Sequence, residues 1–364
     1  MPLQFFPSRA IAFYMARMFV LRTFVILAAL VLVLQTLDLL TESGAILAHP
    51  GNGEVEIWRY VSLRAPEIVA RFLPFSVLLG TIITLSTLNQ NSEVIAMKAA
   101  GLSAHQVLAP LMLAALGVAV LSFTFNDRVV APASATLAQW KKVDYGVLPI
   151  DRGDRLNVWA RHGDSLIQVR RMRGAGEAAQ LAGVTVYERE AGKLLRILNA
   201  PTGARQGTAW RVDKATLFDV ASGTQRSVGA LTIGEGVRPD QFRLSSVDPD
   251  GLSFGALSAA IEDLRAAGRP TKALEGDLWH KLSGPLSAVL MPLLGAVAAF
   301  GIARSGRLFV RAVIGMALGF AYFVADNFAL AMGNLNVYPP LLAAWAPFLL
   351  FLMIGELVLF RTEE

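Results

Sequence analysis

The sequence predicts an α-helical membrane protein with six spanning helices, three before and three after an inserted β-rich domain. Three observations carry this prediction. The 364 residues are 54% hydrophobic and only 17% charged, with a mean hydropathy of +0.50, whereas a soluble surface is nearer a third charged. Six stretches reach the roughly 20 mostly apolar residues that a bilayer span requires. Between the third and fourth of them the pattern changes to short alternating runs.

The first stretch, Phe19–Leu40, follows Arg9, Arg17 and Arg22. Its apolar run is longer than that of a signal peptide and no small-residue cleavage site follows, so it reads as a retained signal anchor. The next five are Ile68–Leu88, Val107–Phe125, Leu282–Ile302, Phe309–Leu330 and Pro340–Phe360. Lys and Arg mark the cytoplasmic loops. Arg9, Arg17 and Arg22 flank the first helix, Arg304, Arg307 and Arg311 flank the joint between the fourth and fifth, and Ala331–Tyr338 carries no charge. Both termini are therefore expected in the cytoplasm, with Val129–Asp277 on the far side. The expected division is residues 1–130, with a short cytoplasmic helix at about 91–101, then 131–276, then 277–364.

On the far side, Asn157–Ala160, Ser165–Val169, Val184–Tyr187, Lys193–Leu198, Ala209–Val212 and Thr216–Val220 alternate between Gly- or Asp-rich turns. Short strands at that spacing fit a sandwich, a jelly roll or a barrel. Phe254–Ala267 reads as an amphipathic helix leading back to the membrane, ended by Gly268 and Pro270.

Several classes of chemistry are excluded. There is no Cys, and His49, His105, His162 and His280 lack ligand spacing, so no metal site is expected. The net charge of +5 belongs to helix ends and anionic head groups rather than to nucleic acid, because no basic, aromatic-interleaved motif accompanies it. Neither a phosphate-cradling Gly-Lys-Ser/Thr loop nor a hydrolase motif is present. The chain is expected to be non-catalytic.

The most informative segment is Asn89–Ser103, between the second and third spans. Ser92 or Asn91 can cap a short helix and Gly101 can end it. Val94, Met97 and Ala100 recur at helical spacing, with Glu93 and Lys98 on flanking faces. It is either a plain surface connector or a coupling helix that docks into a groove of a cytoplasmic partner.

Ser92-Glu93-Val94-Ile95-Ala96-Met97-Lys98-Ala99-Ala100-Gly101-Leu102-Ser103 resembles the signature of the lipopolysaccharide export permeases, the LptF/LptG family (formerly YjgP/YjgQ). Leu278-Trp279-His280-Lys281-Leu282 with Pro285-Leu286-Ser287 resembles the start of that family's fourth helix. Gly315 through Gly319-Phe320 to Tyr322–Asp326, then Tyr338-Pro339-Pro340, resembles its fifth and sixth helices, closer to the LptG branch than to LptF.

The resemblance implies a subunit of an ABC transporter in the bacterial inner membrane. It would extract lipopolysaccharide, or a similar anionic glycolipid, toward the outer membrane. Its partners would be an LptB-like ATPase homodimer that uses ATP and Mg, a sister LptF-like permease, and LptC-like and periplasmic bridge proteins. The inserted domain would be a periplasmic β-jellyroll. No cofactor bound by this chain is implied. ATPase coupling would fall to Ser92, Glu93, Val94, Met97, Lys98 and Gly101, with Glu93 giving register and Val94 and Met97 giving area.

In relatives, basic residues at the outer end of the first helix help hold the lipid's phosphates. This chain instead has Thr41 and Glu42 after Asp38. Arg59, Arg64 and Arg71 are the candidates that remain, either snorkelling to the interface or capturing phosphate. In the family the first and fifth helices form lateral gates, so Leu32, Leu39, Met316 and Phe323 are candidates to line the acyl-chain cavity. Asp326 with Asn327 fits an interfacial cap or a hydrogen bond to a neighbouring helix. A different mechanism on similar parts is a mechanotransmission permease acting on periplasmic partners without extracting lipid.

Overall fold

Ser8 opens the first helix by accepting from the Ile11 amide through its hydroxyl (3.4 Å). In the computed structural model, which describes residues 7–147, 155–174, 178–190, 193–237, 247–266, 269–300 and 308–363, this helix, α1, spans Arg9–Ala48. The apolar run Phe19–Leu40 is thus only its middle. Hydropathy locates hydrocarbon, whereas the backbone stays helical into the polar margins until residues stop supporting it. On α1, Met15, Phe19, Thr23 and Leu27 form a buried seam at four-residue spacing. The seam packs on α2, Glu54–Gln90. At the crossing, a Cβ on Gly80 of α2 would stand 2.4 Å from the Thr23 hydroxyl and 3.1 Å from its backbone. Only glycine admits that approach.

After α2 come α3 (Glu93–Ala99) and α4 (Ala104–Phe125), then a π-helical segment at Asn126–Val130 and α5 (Ala131–Lys142). Pro132 accounts for the π segment. It has no amide proton and its ring crowds the carbonyl one turn back, so the ladder widens just upstream. The third span therefore runs on as helix past residue 130. The boundary expected near residue 131 falls instead between Gly146 and Val147.

Later in the chain stand α6 (Phe254–Ala266), α7 (Lys272–Phe300), α8 (Leu308–Asn334) and α9 (Pro340–Glu363). The chain divides into a helical unit, Met1–Gly146 with Pro249–Leu257 and Lys272–Glu364, and a second unit, Val147–Asp248 with Ser258–Thr271. In the helical unit α7 is central, packing on α2, α4, α8 and α9, and Ala288, Leu290, Leu293 and Leu294 join its core.

Among the described residues, five helices are long and apolar enough to cross a membrane: Arg9–Ala48, Glu54–Gln90, Ala104–Lys142, Val313–Asn334 and Pro340–Arg361. The expected fourth span corresponds to α7, which is not among the five. Its described part carries His280, Lys281, Pro285 and Pro292, and the end of the expected stretch, with Arg304 and Arg307, lies outside the described residues.

The second unit holds a six-stranded antiparallel sheet in the order β1-β2-β3-β4-β5-β6. The strands are Arg155–His162, Ser165–Arg173, Gln180–Glu190, Lys193–Gln206, Ala209–Asp219 and Thr224–Ile233. A jelly roll needs long crossovers between two sheets. Here each strand pairs with its sequence neighbour, so the described strands form a meander, and the jellyroll expectation is corrected in its topology. The two runs Ala209–Val212 and Thr216–Val220 are one strand interrupted by an irregularity between Val212 and Thr216, where Lys214 has φ +56°. Val158, Ile167, Val169, Val184, Val186, Leu198 and Val212 bury one face. Trp210 closes it, donating its indole N–H to the Val237 carbonyl (2.8 Å).

Candidate functional site

The helical unit has polar groups concentrated at two levels of α1, around Tyr14 and around Asp38 and Glu42. By helix rise these levels are about 40 Å apart.

At the first level, α3 is held as a short lever. Ser92 occupies its N-cap position with φ +59° and makes no side-chain cap bond, contrary to the expected role. Asn91 instead donates its side-chain amide to the Glu93 carboxylate (3.2 Å), and the Tyr14 hydroxyl of α1 donates to the same oxygen (3.4 Å). Gly101 ends the helix as expected. At φ +88° its amide reaches the Lys98 carbonyl (2.9 Å) and the Leu102 amide reaches Met97 (3.1 Å), the paired bonds of a Schellman cap. Val94 and Met97 are 3% and 8% exposed and belong to the core of the helical unit. They cannot supply area to a partner. A seven-residue helix strung between two spans must bury one stripe against them, and positions i and i+3 are that stripe. The opposite stripe is Ile95, 64% exposed, with Lys98 and Ala99. Sequence spacing marked the apolar stripe, and the structure turns that stripe toward the core while leaving the large apolar Ile95 exposed.

At the second level the basic candidates are largely engaged within the chain. Arg64 reaches Asp38 with Nε (3.3 Å) and Nη2 (3.2 Å), and pairs with Glu67 through Nη1. Tyr60 donates to the same Asp38 carboxylate (2.6 Å). Lys141 pairs with Glu42 (2.7 Å), whose other oxygen accepts from Tyr145. Burial, then the bond to Glu42, pushes the Tyr145 hydroxyl well above its ordinary pKa. Arg59 lies over the Trp140 ring at 4.8 Å. Arg71 makes one ion pair with Glu67 (3.0 Å) while its side chain stays 58% exposed. Of the three candidates, Arg59 and Arg71 keep exposed side chains, and Arg64 does not. Arg64 is a structural tie between α1 and α2.

Of the gate candidates, Leu32 is 69% exposed and Met316 is also exposed, whereas Leu39 is half-buried. Phe323 is half-buried with its ring against Phe75 of α2 (5.3 Å). Asp326 is buried and faces His280 of α7, while Asn327 bonds back to the Phe323 carbonyl of its own helix. No group of three or more His, Cys, Asp or Glu able to hold a metal is found among the described residues.

The family model described as lipopolysaccharide export system permease LptF/LptG matches residues 13–362. The chain belongs to this permease family. The chain is 27% identical over 313 residues to the lipopolysaccharide export system permease protein LptG of Escherichia coli strain K12, covering 83% of this chain and 84% of the relative. It is 25% identical over 323 residues to the LptG of Haemophilus influenzae, covering 86% and 89%. Both relatives are LptG proteins, as the fifth-helix and Pro-rich-loop resemblance led one to expect. The LptF/LptG match runs through the helices at both levels of α1 and through the sheet between the two groups of helices.

Proposed function

We propose that the chain is the transmembrane subunit of an ABC exporter that extracts lipopolysaccharide, or a similar anionic glycolipid, from the bacterial inner membrane. In this reading α1, α2 and the continuous α4–α5 form one triplet of spans and α7, α8 and α9 the other. Both termini face the cytoplasm and the sheet unit lies in the periplasm. An LptB-like ATPase homodimer hydrolyses ATP with Mg, and a sister LptF-like permease supplies the other half of the cavity. Exposed apolar residues on α1 and α8, Leu32 and Met316 among them, line the acyl-chain side together with Leu39 and Phe323. The sheet unit hands the lipid to LptC-like and bridge proteins.

The observation that supports this reading most is the two-sidedness of α3. Val94 and Met97 fix it in the core, so displacing it strains α2 and α4. Ile95 is exposed on another face, and the half-buried Glu93 carboxylate stands at the start of the helix on a flanking face, so a partner that wraps the helix end can reach both. That is the construction of a force-transmitting contact: apolar area from Ile95, register from a charge-assisted bond to Glu93.

The test is co-purification with the ATPase, together with ATP-driven release of bound glycolipid. Glu93→Ala and Ile95→Glu are expected to leave the fold intact and to weaken ATPase association at least tenfold, about 1.4 kcal/mol. Wild-type recruitment and release in both variants would remove α3 from the coupling path.

A further inference from the structure

A further polar group lies between α7 and α8. Asp326 is only 6% exposed. One of its oxygens, Oδ2, stands 3.8 Å from Nε2 of His280. The other, Oδ1, is buried without a hydrogen-bond partner among the described residues. The other imidazole nitrogen of His280 lies 3.4 Å from the Ser283 hydroxyl. Ser287 donates to the Gly284 carbonyl of its own helix (2.6 Å). Asp326 is eight residues before the end of α8, about 12 Å along the helix axis, too deep for its carboxylate to snorkel readily to water.

The charges around this pair are few. On α7 they are His280 and, acting on His280, Lys281, with Glu275 and Asp277 nearer the start of the helix, each already engaged. On α2, which packs against both α7 and α8, Glu67 and Arg71 pair with each other. On α9, which also packs on both, Glu356 pairs with His105 of α4. Among the described residues, the ionisable group paired with Asp326 is His280. An isolated ionised carboxylate in such surroundings costs several kcal/mol, as does an isolated imidazolium. The state without net charge holds one proton between the two side chains, whichever of them carries it.

We propose that His280 and Asp326 form a buried one-proton site that fastens α8 to α7. With the helices together the site holds one proton. With the helices apart and both groups hydrated, His is neutral and Asp ionised above about pH 6.5, so separation releases that proton to solvent. Raising the pH therefore favours separation, by up to about tenfold per pH unit above that value. The site makes proton uptake a condition for α8 to close on α7.

The absence of Cys in the sequence makes the test direct. Lys272→Cys and Leu335→Cys place spin labels at exposed positions near the facing ends of α7 and α8. Distances are measured by pulsed dipolar spectroscopy between pH 6 and 9, in nanodiscs, on the protein assembled with its partner subunits. The separated population is expected to rise with a slope approaching one proton. Asp326→Asn, which keeps the shape and removes the titration, should abolish the slope. His280→Gln should move the onset to lower pH, because Asp326 alone then has to keep the proton. A distance distribution independent of pH in the otherwise wild-type protein, or a slope that survives Asp326→Asn, overturns the proposal. Should Asp326→Asn fail to fold, the His280→Gln profile decides alone: an onset identical to wild type rejects the site. The readout depends on neither cargo nor ATPase coupling.

Discussion

The two polar levels of α1 are built in opposite ways. Around Asp38 and Glu42, carboxylates, guanidinium, ammonium and phenol groups meet within the chain, through Arg64, Tyr60, Lys141 and Tyr145. Around Tyr14, the Glu93 carboxylate receives only two long, exposed bonds, from Tyr14 and Asn91. The comparison teaches that charge in this fold has two uses. Charges satisfied internally hold α1 to the bundle, and the less fully satisfied Glu93 carboxylate is the one the proposed coupling would use.

Arg64→Ala should produce the largest effect. It leaves Asp38 and Glu67 each without their guanidinium partner in a site where the pairing side chains are only about a quarter exposed. Breaking a fully buried pair costs about 3–5 kcal/mol; discounted for that exposure, the loss should be about 2 kcal/mol. It should appear as a lower Tm of the solubilised protein and as faster proteolysis near the α1–α2 turn. An unchanged Tm would mean that the Asp38 level does not hold α1.

Arg71→Glu sharpens the contrast from the other side. Its pair with Glu67 is exposed, so stability should change by less than about 0.5 kcal/mol even with two glutamates facing. Phosphate capture should suffer more than stability does, because a forked donor becomes a repelling carboxylate. Co-purified glycolipid, counted as phosphate per complex, is expected to fall severalfold. Wild-type lipid content would remove Arg71 from a head-group role.

How much of this was legible in the sequence follows from the range of each interaction. Spans are local sums of hydropathy, so α1, α2, α4, α8 and α9 were found where expected. Their ends were missed because polar residues such as Glu54 and Glu56 extend a helix without adding hydropathy, Glu56 closing the start of α2 by accepting from the Gly53 amide (2.8 Å). The Arg64, Glu67, Arg71 series at three- and four-residue spacing was readable as an ion-pair row. Its tie to Asp38 was not, because that depends on how α1 crosses α2. The same applies to Val94 and Met97: periodicity identifies a stripe, and only the neighbouring helices decide whether it faces the core. Strand β6 went unread because Thr224–Ile233 begins Thr-Gln-Arg-Ser and lies exposed almost throughout. Its partner strand β5, not its own pattern, holds it in the sheet.

The smallest effect expected lies in the turn that carries the chain from β5 to β6. Asp219 accepts from the Ser222 amide and hydroxyl (both 3.0 Å). These bonds, the backbone one first, hold its carboxyl below the ordinary range. A group so shifted contributes order that is complete above its unfolded pKa, about 3.9, and is lost as pH falls through the lower folded value. The carboxylate sits at the end of β5 with its side chain 38% exposed, so the effect is confined to the turn. Hydrogen–deuterium exchange on the intact protein should therefore show protection of the Ser222 amide near neutral pH that fades only below about pH 4. In Asp219→Ala that protection should be absent at every pH while the Tm stays unchanged. A fall in Tm would mean that the exposed β6 edge depends on its turn, and that this charge belongs with the structural ties of the Asp38 level.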